Sequence, residues 1–191
     1  MASLVLSGDT SGSITVSAPA VAGSNTQTLV ATTGTLAPIV SGTAQNSTSG
    51  TSIDFTGIPS WVKRITVMFN GVSAVTSPFQ IQIGSGSIDA TGYLNGASWG
   101  GSGNTSYSTT GFSVTASGVM AAGSTYSGQV ILSTLGSNIW SEFGILAAGS
   151  SVGVSMSAGS KTLSGTLDRV RITTVNGTDT FDAGSINILY E

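Results

Sequence analysis

The sequence predicts an all-β protein, with an extended N-terminal strand segment followed by a jelly-roll-like antiparallel β-sandwich. Three observations lead there. Only 7% of the 191 residues are charged and 39% are hydrophobic, so the helix formers Glu, Lys and Arg are scarce. Thr, Val and Ile, which suit a pleated half-buried surface, recur in short runs interrupted by Asn, Ser, Pro and many of the 27 glycines. Large side chains are segregated: all three Trp, all four Tyr and all six Phe follow residue 50. A Ser/Thr/Gly/Asn cluster, "VSGTAQNSTSGTS" over residues 40–52, has linker composition and sets the expected division into residues 1–50 and 51–191.

Taken in order, "LVLSG", "GSITVSAP" and "NTQTLVATTGTL" each read as a short strand, with Asp9 as the only charge before the linker. So few large side chains bury too little area, at roughly 25 cal/mol per Å2, to offset a backbone ordering cost of about 1–2 kcal/mol per residue. Association supplies the missing area. Three copies around one axis would pair strand edges and bury Ile14, Val16, Val21, Leu29 and Leu36 in a shared core.

Beyond the linker, "SIDFTGI" ends at Pro59, and "WVKRITVMFNGVS" alternates Ile65, Val67 and Phe69 with Arg64, Thr66 and Met68 before Asn70-Gly71 marks a turn. "PFQIQIGSG" sets Phe79, Ile81 and Ile83 against Gln80 and Gln82, the pattern of a strand with one wet side. "GFSVTAS", "YSGQVILSTLG", "IWSEFGILA", "VGVSMS" and "KTLSGTLDRVRITTV" follow at sandwich spacing. Asn176-Gly177 is the pair a two-residue type I′ hairpin prefers, and "SINILYE" closes the fold with Ile186, Ile188 and Tyr190 alternating against Asn187 and Leu189.

Composition also narrows the chemistry. Five basic residues, Lys63, Arg64, Lys161, Arg169 and Arg171, and a net charge of −3 make no stripe for tracking phosphates, so no nucleic-acid partner is expected. The strand positions of Lys63, Arg64, Arg169 and Arg171 read as outward, edge-guarding charges. Without His or Cys, the Ser-His-Asp, Cys-His and histidine–metal constellations are unavailable; no enzyme activity and no cofactor is expected. The eight acids, Glu142 among them, read as solvated surface carboxylates, with a calcium or two-carboxylate catalytic role as the competing reading. Asp168 beside Arg169 reads as a surface pair, and Asp179 and Asp182, three apart, fall on opposite faces of a continuous strand. No apolar run reaches membrane-spanning length, and "MASLVLSGDT" lacks a cationic signal-peptide start, so synthesis in the cytoplasm and no membrane insertion are expected.

The candidate binding stretch is "GYLNGASWGGSGNTSYSTTG", residues 92–111. Its Gly and Asn suit a loop, Asn95 and Asn104 offer donors and acceptors, and exposed faces of Tyr93, Trp99 and Tyr107 would stack on a sugar ring. The competing reading folds these aromatics beneath the loop as core cover.

"SGSITVSAPAVAGSNTQTLVATTGTL" resembles short units of bacteriophage tail-fibre and other virion structural proteins. The ending "LDRVRITTVNGTDTFDAGSINILYE" is similar to the terminal segment of phage tail-associated proteins, where an Arg-Ile strand, a Phe-Asp-Ala-Gly turn and a last apolar strand close a β-sandwich. The resemblance covers the two ends, about a third of the chain, and leaves residues 69–166 unmatched. It implies a virion protein made in a bacterial host. One implied function is a short trimeric tail fibre or tail-tip protein, anchored to the tail by its N-terminal strands and contacting a host-surface glycan with its sandwich. The other is a capsid decoration or cement protein stabilising the head lattice. The whole chain is expected to have the mass of a homotrimer in solution; a stable monomer with an ordered N-terminus contradicts the association reading.

Overall fold

The computed structural model describes residues 3–7, 11–17, 38–100, 103–118, 120–149 and 153–191. The chain is all-β, with antiparallel pairing throughout and no helix among the described residues. It divides into two compact units, residues 1–36 and 37–191.

In the first unit, β1 (Ser3–Ser7) and β2 (Ser13–Ser17) form an antiparallel hairpin. The register sets Leu4 opposite Val16 and Leu6 opposite Ile14, so these four side chains share one face, while Val5, Thr15, Ser7 and Ser13 share the other. Each of the four is more than half exposed. Of the expected assembly residues, Ile14 and Val16 thus lie on an open apolar face; Val21, Leu29 and Leu36 lie outside the described residues.

The second unit begins with two short strands, β3 (Val40–Ser41) and β4 (Gln45–Asn46), followed by β5 (Ser52–Thr56), β6 (Arg64–Ala74), β7 (Phe79–Ser85) and β8 (Ser87–Ile88). Next come β9 (Leu94–Trp99), β10 (Thr105–Tyr107), β11 (Phe112–Ser113), β12 (Tyr126–Gly136) and β13 (Ile139–Ala148). The last three are β14 (Val154–Thr162), β15 (Arg169–Thr174) and β16 (Phe181–Tyr190). A large sheet runs β10-β9-β14-β13-β12-β6-β16-β3, with β4 also on β16; a small one runs β11-β7-β15-β5, with β8 on β7. The chain alternates between sheets at β5-β6-β7 and β14-β15-β16, and a meander β12-β13-β14 widens the large sheet. Ile65, Val67, Val130 and Leu132 from the large sheet and Ile81, Ile83, Val170 and Ile172 from the small one are fully buried between them. Phe79 is central, with Phe69, Phe181 and Tyr126 at ring-centroid distances of 6.2, 5.8 and 5.7 Å.

Several sequence expectations are corrected. The stretch expected as linker supplies β3 and β4, which pair with β16, and Ser47 is buried with its hydroxyl donating to Ala183 O at 2.8 Å. Asn70-Gly71 is not a turn. Gly71, at φ +62°, is a bulge within β6, and Gly184, at φ +92°, makes the matching bulge in β16; a Cβ on Gly184 would strike the Gly71 backbone. The expected Phe-Asp-Ala-Gly turn is therefore part of β16. Asn176-Gly177 joins strands of different sheets, so no hairpin forms there. The paired positive φ angles, 50° and 60°, occur at Ser137-Asn138, which close the β12–β13 hairpin. Finally, β7 has no wet side: Gln80 and Gln82 are buried beneath residues 108–111, with Gln82 Nε2 donating to Thr110 O at 2.8 Å and Gln80 Nε2 to Thr174 O at 3.2 Å.

Deleting residues 1–36 should leave the melting behaviour of the sandwich unchanged. Deleting residues 1–50 removes the β3 and β4 pairing, including Gly42 N to Ile188 O and Ser47 N to Gly184 O, and should cost about 3 kcal/mol in denaturant unfolding.

Candidate functional site

Residues 92–111 are largely not a loop. Those described form β9 and β10, paired at the edge of the large sheet, and the strap over β7. Alternation along β9 turns Asn95, Ala97 and Trp99 inward and Leu94, Gly96 and Ser98 outward.

The expected binding residues accordingly separate. Tyr93 is fully buried, edge-on to Phe112 at 4.9 Å, with its hydroxyl accepting from Ile83 N and donating to Asp89 O, both at 2.8 Å. Its ring cannot stack on a ligand. Trp99 is also buried, its indole packed so close to Gly153 that a Cβ there would lie 2.5 Å from the ring. Asn95 is buried as well: its Oδ1 accepts from Ser113 N at 2.6 Å, and its Nδ2 donates to Ser113 O and Ala158 O, both at 3.3 Å. Asn104 is half-buried beside Gly118, and its carbonyl accepts from Trp99 N at 2.9 Å, closing the hairpin. Only Tyr107, at 69% exposed, presents its ring to solvent.

Tyr107 has partners that sequence reading did not assign. Strand register aligns Tyr107 with Gly96, Gly96 with Ala158, and Ala158 with Phe143 across four neighbouring strands. Phe143 is 55% exposed, and Met156 lies one register step away from Ala158 on the same face. Two rings thus stand as walls over a floor of Gly96 and Ala158, enclosing a groove of about 550 Å3. Ser98 and Thr105, paired in register, bring hydroxyls to its flank. A second groove of about 270 Å3 opens on the far side of Phe143, between Gln129, Ile131 and Ile145.

Beneath the floor lies an unexpected carboxylate. Glu142 is buried, contrary to the surface reading, with Oε1 accepting from Ser157 Oγ at 2.6 Å and Oε2 from Asn95 Nδ2 at 3.4 Å. Burial pushes its carboxyl up to about 7, against the lesser lowering by those two hydrogen bonds. Gly144 leaves the room: a Cβ there would meet Ser157 Oγ and Val130 Cγ2, both at 2.8 Å.

The other ionic groups fasten the frame. Lys161, though nearly buried, pairs with Asp89 Oδ2 at 2.7 Å, donates to Thr91 O and lies 5.2 Å from the centre of the Tyr93 ring. The hydrogen bond from Lys161 holds the Asp89 carboxyl below its ordinary value. Arg171 grips Asp54 through two bonds of 2.7 Å across β15 and β5, and Arg169 pairs with its neighbour Asp168. Asp179 accepts from Thr76 N and Ser77 N, both at 2.8 Å, which ties the β15–β16 connection to the turn after β6. Asp54 also borders a cleft of about 270 Å3 beside Phe55 and Tyr190, but both its oxygens are engaged by Arg171. Among the described residues no group of three acidic side chains is placed to hold a metal ion.

No protein-family model matches the chain, and no curated protein or solved structure matches it significantly.

The position of Glu142 has a pH signature. Below its ordinary value of 4.5 Glu142 is protonated in both the folded and the unfolded chain, and its contribution to stability is greatest. Between 4.5 and about 7 the unfolded chain releases a proton that the folded one retains, so stability falls with rising pH, by at most about 3 kcal/mol, and then levels. Glu142→Gln should remove that fall in urea unfolding measured from pH 4 to 8; an unchanged slope would show Glu142 to be ionised in the fold.

Proposed function

We propose that this protein is a non-enzymatic bacteriophage virion protein: a short tail fibre or tail-tip protein that associates through its N-terminal strands and meets a host-surface glycan with its sandwich. The observation that carries the recognition half is the Tyr107–Phe143 groove. Two exposed rings over a glycine and alanine floor give the apolar faces of sugar rings a stacking surface, and flanking hydroxyls give their edges hydrogen-bond partners.

The assembly half is supported by the β1–β2 hairpin. A two-stranded hairpin is marginal alone in water, and one with Leu4, Leu6, Ile14 and Val16 open on a single face gains most by covering it. The phage assignment is supported by the resemblance of the two ends of the sequence. The same hairpin would equally serve a decoration protein on a capsid lattice, where recognition by the sheet face has no part. The two roles separate by deletion: loss of particle attachment together with loss of adsorption fits the tail, whereas loss of head stability with normal adsorption fits the capsid.

Tyr107→Ala should leave the melting temperature unchanged and lower adsorption to host cells about tenfold, because the ring is exposed and one good stacked contact is worth roughly 1.4 kcal/mol. Trp99→Ala should instead cost about 3–5 kcal/mol of stability. Normal adsorption by folded Tyr107→Ala and Phe143→Ala variants would remove the groove from the account.

A further inference from the structure

The groove also specifies the class of its ligand. Resting on the glycan reading above, we infer that it binds an uncharged oligosaccharide of about four pyranose units, laid across the strands with its outer rings on Tyr107 and Phe143.

Length follows from register. Tyr107 and Phe143 stand three strand spacings apart, about 14 Å, through Gly96 and Ala158. A pyranose unit is about as long as one strand spacing is wide, about 5 Å. Three units set their outer rings only two spacings apart and reach one wall, while a fourth brings the outer rings over both aromatics. The two middle units then sit on Gly96 and Ala158, where any larger side chain would fill their space.

The chain direction follows from the same rows. Along β9 and β14 the groove is only a few residues long, since Leu94, 66% exposed, rises beyond Gly96. Across the strands it is open, and past Phe143 it continues into the groove beside Gln129, Ile131 and Ile145. Both faces of the Phe143 ring are therefore available to a longer polymer.

Neutrality follows from what faces outward. On β9, β10, β13 and β14 the outward residues include Ser98, Thr105, Tyr107, Phe143, Met156 and Ala158, and none of the described outward positions on these strands carries a charge. Lys161, the only cation on these four strands, points inward and is held by Asp89. A uronate or sialate would find no counter-charge on this face and would give up hydration against an apolar wall. A neutral sugar places CH faces on the rings and hydroxyls toward Ser98 and Thr105. That complementarity favours a glycan over a second copy of the chain, which would set the two exposed rings of one copy against those of the other.

The test is a glycan array probed with the full chain, followed by calorimetric titration of neutral one-unit to five-unit oligosaccharides and of acidic oligomers of equal length. Neutral ligands should be retained, with affinity rising steeply to four units, and Phe143→Ala should reduce affinity for the four-unit ligand about tenfold while leaving single-sugar binding little changed. Ala158→Trp, which fills the floor, should abolish binding in a protein of unchanged melting temperature. Preference for acidic ligands, lost on Phe143→Ala, would overturn the neutral assignment and leave the groove as the glycan site. Retention of no glycan would overturn both readings, as would sedimentation showing copies joined through this face in a Phe143-dependent way.

Discussion

The side chain of Asn95 joins the two sheets of the sandwich. It projects inward from β9 of the large sheet and engages both backbone groups of Ser113 on β11 of the small one, accepting from the amide and donating to the carbonyl. Since β11 is only two residues long, those groups would otherwise be buried with little else to bond, and an unpaired buried amide costs about 1–3 kcal/mol. The same Nδ2 reaches Ala158 O on β14 and Glu142 on β13. One carboxamide thereby fixes which residues of β9 face in. The outward placement of Gly96, and with it the floor between Tyr107 and Phe143, is a consequence of that choice.

A chain with so few charges uses amides and hydroxyls in its interior as well as on its surface. Ser106, Ser113 and Thr115 bond to one another beneath β10, Ser155 Oγ accepts from Ala116 N, and Gln80 collects Ser108 and Thr110. Together with the fully buried Phe112, these bonds hold the 108–118 segment between and over the sheets. Buried polar atoms in such an interior are costly unless paired, and Glu142, whose carboxyl burial pushes up to about 7, accepts hydrogen bonds from Ser157 and Asn95. The polar layer thus underlies the groove and gives it a rigid base. An apolar face on a rigid sheet keeps its two rings at fixed separation, which is what selection of a ligand by length requires.

The all-β class was legible because composition and period-two alternation act locally: Ile65, Val67 and Phe69 face inward, as do Ile186 and Ile188. What failed depended on distant neighbours. Asn70-Gly71 and Asn176-Gly177 carry the same turn chemistry, yet the first is a bulge matched to Gly184 and the second a passage between sheets. Gln80 and Gln82 looked wet because nothing local revealed the strap that covers them. In the candidate site, Gly and Asn content disguised two strands, and of the five proposed residues only Tyr107 was exposed enough to serve. Phe143 was hidden for the opposite reason. In "IWSEFGILA" either alternating set could be the core, with Trp140, Glu142 and Leu146 in one and Phe143 and Ile145 in the other, and the presence of an acid in the first pointed the wrong way.

The N-terminal hairpin and the sheet face present two unlike apolar surfaces. The first is aliphatic, formed by Leu4, Leu6, Ile14 and Val16, and suits packing against another aliphatic layer; the second is aromatic and walled, and suits a thin ring. The central claim, that the aromatic face is the recognition surface, is tested most directly by amide chemical-shift mapping during titration with a neutral tetrasaccharide. The account predicts perturbations concentrated at Gly96, Ser98, Tyr107, Phe143 and Ala158, with residues 3–17 and the Asp54 cleft unmoved. Perturbations confined to those other regions, with the aromatic face silent, would contradict it.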